Sequence, residues 1–419
     1  MPVHDDILFV AMEDWDEVWR RNQPIAAGFA ERSPGRKLLY MGLPIDVSHG
    51  LRRLSFGPLL RALRPARTPA SPAGFGNIFL FNPVKWLPNS LPFCQHINRW
   101  MERRQLRRAA RRVGLRHPIL WLNPHYGLHL VGSVGESLVV YDIGDDWSQI
   151  KQAEWVRRQT IAEDAELCRR ADVLIVVSKH LQRLKSELAR RVELIPNGVY
   201  VERYAGIADG SLPPHPATQS WRHPVLAYTG TLHEERVDLA LVEKIAEAFP
   251  AATVALIGPC LLDEKARRRL TAHPNIRMPG AFPFEEIPRV MSAFDVCIVP
   301  HVVSGFTESL SPLKLYEYLA AGLPTVSTLI PGFRDHPQWI HLAADADAFI
   351  TALQKALQEP RRLRAPRQAA ARAHSWAARM DAIELAIENG KANASPCQRH
   401  RSSPSSSSAT TLATSRSDA

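Results

Sequence analysis

The chain has 419 residues, too many for one ordinary domain, and its 45% hydrophobic and 22% charged content supplies sizeable cores. The 52 Lys and Arg against 42 Asp and Glu give a net charge of +10, which suits an anionic partner: nucleotide phosphates, a lipid surface or nucleic acid. Five scattered cysteines without a CxxC pair argue for a reduced, cytosolic protein without structural zinc. No basic stretch followed by a long apolar core opens the chain, and no window reaches about 18 uninterrupted apolar residues, so neither a signal peptide nor a membrane-spanning helix is expected.

In chain order, short apolar runs read as strands at Ile7 to Met12, Lys37 to Gly42, Ile78 to Pro83, Pro118 to Asn123, Ser137 to Ile143, Val173 to Ser178 and Val192 to Pro196. Helical patterns lie between several of them, as at Ala153 to Ala171 and His180 to Arg190. The segment from Asn197 to Pro224 is rich in Gly, Pro and Ser and reads as a link. The rhythm then restarts with strands at Pro224 to Gly230, Ala252 to Gly258, Asn275 to Gly280, Val296 to His301 and Pro324 to Leu329. Strands apolar on both faces and alternating with helices predict parallel sheets covered on both sides, hence two Rossmann-like halves with a ligand cleft at the strands' carboxyl ends. Arg367 to Asn389 reads as a closing helix, and the Ser-rich tail from about Asn393 as disordered. The expected division is 1–200, a link at 201–223, a second half at 224–366, the closing helix at 367–390 and the tail at 391–419.

"SPLKLYEYLAAGLPTVST" (Ser311 to Thr328) starts a helix with Ser311 as N-cap and Pro312 and Leu313 in its first turn. Lys314 adds a full charge to the positive end of that helix, which suits a diphosphate. Glu317 shares its face, where it could accept hydrogen bonds from a ribose diol; an ordinary surface ion pair is the plain alternative. "AYTGTLHEERVD" (Ala227 to Asp238) opens the second half with a strand, Gly230 and Thr231, and then a helix carrying Arg236 and Asp238, and Gly258 ends the next strand on the same rim. GxGxxG is absent, which favours a mononucleotide diphosphate over a dinucleotide cofactor.

"VVYDIGDDW" (Val139 to Trp147) places Asp142, Asp145 and Asp146 at a strand end, where one could orient or deprotonate an acceptor hydroxyl or merely cap a helix. No histidine or fourth acid has the spacing for a metal site. His125 ends another strand and is a weaker candidate, as are Arg20, Asn22 and Gln23 in "WDEVWRRNQ". "MERRQLRRAARRVGLRH" (Met101 to His117) aligns Arg103 with Arg107, and Arg104 with Arg108, at helical spacing. Without interleaved aromatics it reads as a solvated face or a dock for anionic headgroups, and not as a nucleic-acid site.

The ordered set "ADVLIVVSKHL", "ELIPNGV", "YTGTLHEERVD", "VALIGP", "PNIRMPG", "IPRVMSAFDVCIVP" and "SPLKLYEYLAAGLPTVST" resembles the GT-B glycosyltransferases of bacterial cell-surface polysaccharide synthesis, similar to the family-4 and teichuronic-acid-type group. The resemblance runs well from Val173 to Thr328 and more loosely before it. It implies an α/β chain of GT-B architecture, two Rossmann-like doubly wound domains facing across a cleft. It also implies a nucleotide-sugar donor (UDP- or GDP-linked) in the second half, a lipid-linked or saccharide acceptor in the first, no cofactor, no essential metal and retained anomeric configuration. With these come a cytoplasmic location on the inner face of the membrane and a last helix that crosses back to the first domain. The chain departs from the family where many members carry a glutamate eight positions before Glu317: Ser309 stands there, with Glu308 one residue early. Tyr200 follows "PNGV" where relatives often have Asp, and "MEDWDEVWRRNQ" replaces the glycine-rich loop after the first strand. A GT-B nucleotide-sugar epimerase and a degenerate, non-catalytic nucleotide-sugar-binding scaffold are the rival readings.

Overall fold

The structure is a computed structural model that describes residues 5–53, 55–63, 69–89, 91–149, 152–189, 191–308 and 313–393. Among them, seven parallel strands form an N-terminal sheet: β1 (Ile7–Val10), β2 (Leu38–Met41), β3 (Ile78–Phe81), β4 (Ile119–Leu122), β5 (Leu138–Ile143), β6 (Val173–Val176) and β7 (Val192–Leu194). Their spatial order is β3-β2-β1-β4-β5-β6-β7, with Ile7 paired to both Leu38 and Ile119. A second parallel sheet comprises β8 (Val225–Thr229), β9 (Thr253–Ile257), β10 (Ile276–Gly280), β11 (Val296–Val299), β12 (Thr325–Thr328) and β13 (His341–Ala343), in the order β10-β9-β8-β11-β12-β13. Both sheets reverse direction beside their first strand, between β1 and β4 and between β8 and β11. A crevice opens at such a reversal, outside the strands' carboxyl ends.

Each expected apolar run contains a strand. β1, β2, β4 and β8 are buried at every residue, because helices cover both faces. β13 went unforeseen, since "HLA" is too short to show a period. The helix expected at His180 to Arg190 runs only from Lys179 to Lys185, capped by Ser178, whose hydroxyl accepts from the Leu181 amide.

The link is packed down: Val201, Tyr204, Ile207 and Trp221 are buried in the C-terminal core. One expectation about the chain's crossings is corrected. The closing helix is two helices, Arg364–Arg372 and Trp376–Asn393. The first packs on the C-terminal half, where Gln368 donates to the Ala320 carbonyl. The second lays Met380, Ile383 and Ile387 against Ile25 and Phe29 under the first sheet. A Cβ on Gly28 would lie 2.8 Å from Met380, so glycine permits that close crossing. The break between them pairs with the other crossing, as the Val199 amide donates to His374 and the Trp376 amide to Val199. Among the described residues no helix is long and apolar enough to cross a membrane. Ser309, Ser311, Pro312 and the tail from 394 lie outside the described residues, as does the side chain of Glu308.

Candidate active site

A cavity of about 740 Å³ lies between the two halves, lined from both. At one end it is closed by Trp19 stacked on Phe284, ring centroids 4.9 Å apart, with the Phe284 amide donating to the Glu17 carbonyl. Arg203 lies 3.8 Å over the Phe284 ring and donates to its carbonyl.

The C-terminal wall rests on a helix, Leu313–Ala321, keyed to β8 through Tyr318, whose hydroxyl accepts from the Thr229 amide at 2.9 Å. Lys314 stands one turn earlier on the same face and so lies across Gly230. Gly230 has φ of +147°, and a Cβ there would sit 2.1 Å from the Lys314 side chain. Gly258 has φ of +140°, and its Cβ would sit 2.2 Å from the Gly230 carbonyl oxygen. Only glycine allows this stacking of backbone and cation. Burial pushes the Lys314 ammonium down to about 8, against the pull of Glu317 and with the help of Arg236 and Arg20. Burial raises Glu317, opposed by Lys314 and by a hydrogen bond from Tyr204. Thr231, Arg236 and Leu313 complete this wall. Arg236 is not on a helix, as expected, but in the turn before one (Leu239–Ala248), which Asp238 caps by accepting from the Leu241 amide.

His301, which the sequence reading passed over, also lines the cavity. It is 2% exposed, its Nε2 lies 3.1 Å from the Tyr228 hydroxyl, and its Nδ1 has no hydrogen-bond partner. Burial, Arg236 and Lys314 hold its pKa well below the usual range, so it is neutral. Its signal was its place after an apolar strand, in "IVPH".

On the N-terminal wall the three acids of "DIGDD" part company. Asp145 lines the cavity half-buried, and burial together with Asp146 raises its pKa to about 6, against Arg236. Asp142 is not among the residues that line the cavity. It is fully buried, and Arg21 grips it with Nε at 2.9 Å and NH2 at 2.8 Å while NH1 donates to Asn197. Asp146 is 4% exposed and accepts from the Ser148 amide and hydroxyl, the geometry of the capping alternative. Arg20 and Asn22 line the cavity, and the Asn22 amide donates to Asn123. Gln23 is buried and does not line the cavity; it accepts from the Arg20 amide and donates to the Asp14 carbonyl, and so holds the loop. Glu13 was missed: burial raises its carboxyl to about 7, opposed by Arg20 and by hydrogen bonds from Asn22. Its place directly after the apolar run Ile7 to Met12 was the available signal.

His125 lies away from this cavity, in a second one within the N-terminal half. The arginines belong to the helix Pro92–Val113, whose Leu106, Ala110 and Val113 are buried on the first sheet. Arg104, Arg107 and Arg108 are exposed and Arg103 half-buried, and none of the four lines the cleft.

Residues 223–359 match the family model for glycosyl transferases group 1. A Bacillus subtilis (strain 168) protein named as the teichuronic acid biosynthesis glycosyltransferase TuaH is 26% identical over 234 residues, 52% of this chain and 58% of its own length. The chain thus spans little more than half of that relative. Two solved structures share the fold throughout. Sucrose-phosphate synthase from Thermosynechococcus elongatus has a TM-score of 0.67 at 16% identity, covering 92% of this chain and 98% of its own. Anabaena HepE, in complex with UDP-glucose, has a TM-score of 0.63 at 14% identity, covering 92% of this chain and all of its own. Residues 223–359 are therefore a glycosyl transferases group 1 domain, carried on the two-sheet GT-B fold.

Proposed function

We propose that the chain transfers a sugar from a nucleotide-diphosphate sugar, UDP-linked as in the HepE complex, to a saccharide or lipid-linked acceptor in cell-surface polysaccharide synthesis. One observation carries the reading: two cations, Arg236 and Lys314, converge beside the Gly230 and Gly258 rim, facing Asp145 and Glu13 across one cavity. As the bond from the anomeric carbon to the diphosphate oxygen breaks, the leaving group takes both electrons, and Lys314 and Arg236 stabilise its charge. Glu317 holds the ribose. Asp145 or Glu13 accepts a hydrogen bond from the attacking hydroxyl and orients it. The reaction is proposed to be retaining and metal-independent, so the hydroxyl proton leaves on the departing diphosphate. Epimerase chemistry is disfavoured, since it uses no acceptor wall.

The test is thermal stabilisation by UDP, GDP, dTDP and CMP, because a ligand of the native state raises its melting temperature. UDP is expected to stabilise the wild type, and Lys314→Ala and Arg236→Ala each to weaken that binding at least tenfold without unfolding the protein. The affinity of the wild type falls as pH rises through about 8, where Lys314 loses its proton. Unchanged affinity in both variants removes the diphosphate clamp. Product anomer analysis in the presence of a chelator checks retention and metal independence.

The arginine face supports peripheral docking on an anionic membrane, with Phe93 and Trp100 exposed on the same helix at 75% and 55%. Each basic residue near such a surface contributes about 1 kcal/mol. Replacing Arg103, Arg104, Arg107 and Arg108 by Glu is expected to abolish sedimentation with phosphatidylglycerol vesicles and leave UDP binding intact. Wild-type sedimentation that is absent or insensitive to salt rejects the docking role.

A further inference from the structure

The cavity that holds His125 has a volume of about 480 Å³, within the range of small-ligand sites. It meets the reaction cleft at Leu43, which lines both. Its walls are the first turns of the arginine helix, the helix Glu154–Arg170, the turn His125–Leu130 and a two-stranded sheet pairing Ile45–Asp46 with Val84–Lys85.

The cavity's charges cancel within its own lining. Lys85 pairs with Asp46 and Arg99 with Glu163, while His129 Nε2 lies 3.1 Å from Glu102. A phosphate or carboxylate would find no uncommitted cation there, and the burial of both would carry a desolvation cost. What the lining offers instead is neutral. His125 Nδ1 is buried without a partner, and the ring meets Tyr126 edge-on at 5.6 Å. Amides of Asn89, Gln95 and Gln159 stand nearby, and at the rim the indole of Trp155 is 56% exposed.

An exposed aromatic face beside amides and an unpaired imidazole nitrogen matches a pyranose, whose C–H face packs on the ring while its hydroxyls take up the polar groups. An alkyl chain would leave the buried His125 Nδ1 unpaired, which costs about 1–3 kcal/mol. We infer that this cavity is a subsite for a neutral sugar residue of the acceptor, one or more units away from the reacting hydroxyl. Resting on the transferase reading, this makes the acceptor an oligosaccharide and not a single sugar.

The test uses the full chain and a panel of uncharged gluco-, galacto- and manno-configured tetrasaccharides, with binding read by saturation-transfer NMR. At least one saccharide is expected to bind the wild type, Trp155→Ala to weaken it tenfold or more, and Trp155→Phe to restore part of it. Stabilisation by UDP is measured on the same samples and is expected to be unchanged. Failure of UDP to stabilise any of them would count against the transferase reading alone, because the saccharide signal is read without donor. No saturable saccharide binding to the wild type, or equal binding by Trp155→Ala, overturns the subsite. So does competition by a decyl chain in place of the sugars, which would assign the cavity to a lipid tail.

Discussion

On the C-terminal wall of the cleft, Lys314, Glu317 and Tyr318 come from two turns of one helix, and the glycines they meet end two adjacent strands. On the N-terminal wall, Arg21 reaches Asp142 across 121 positions and Asn197 across 176. The first wall is built from close backbone approach and short-range spacing, which suits the proposed diphosphate, the same in charge and geometry whatever sugar it carries. The second is a long-range polar network, facing the proposed acceptor, that no short motif records. A local reading therefore finds the first wall and scatters its bets on the second.

That contrast is sharpest at the buried pair. Arg21 is 6% exposed and Asp142 fully buried, so either residue alone would be an uncompensated charge in the protein interior. Arg21→Met or Asp142→Leu is expected to lose about 3–5 kcal/mol of stability, a large share of an ordinary domain's total. The double variant is expected to recover most of the loss, since well-packed apolar groups often replace a buried pair at little cost. Urea unfolding of the four proteins reads the coupling. Single variants within about 1 kcal/mol of the wild type would show that the pair is not what holds this wall, and Asp142 would return as a candidate for the acceptor.

The parallel sheets were legible because their central strands are buried on both faces and so read as short apolar runs. The donor wall was legible because its spacing is helical: Lys314 and Tyr318 share a face by sequence alone. Asp145 and Asp146 could not be told apart, because adjacent residues differ here only in direction, one to the cleft and one to the Ser148 amide. Arg21 was overlooked beside Arg20 for the same reason. Glu13 was hidden because its carboxyl is shifted by burial that the surrounding fold creates and no neighbouring residue announces. Gln23 looked like a ligand-facing residue because a polar side chain near a strand end carries no mark that it serves the backbone of its own loop.

The remaining prediction separates the acceptor wall's chemistry from its architecture. Whichever of Asp145→Asn and Glu13→Gln removes the carboxylate that orients the acceptor is expected to lose about a hundredfold in transfer rate, with UDP affinity unchanged. Unlike the variants at the buried pair, both are expected to gain stability at neutral pH. The sign follows from the shifts. Glu13 is raised from its usual 4.5 to about 7, so the folded protein binds a proton that the unfolded chain has released between those values. Stability therefore falls as pH rises through that window, and the wild type bears the full cost above about 7. Glutamine stays neutral throughout, so Glu13→Gln is expected to raise stability above pH 7 by roughly 1–3 kcal/mol, seen as a higher melting temperature, and to lose that advantage below about pH 4, where both states hold the proton. Asp145→Asn is expected to behave alike over the lower window from 3.8 to about 6. Melting curves from pH 4 to 8, paired with transfer rates on the same samples, read both effects. A variant that gains no stability yet loses transfer would show that its carboxylate is well solvated, and one that gains stability at no loss of transfer would take that carboxylate out of the reaction.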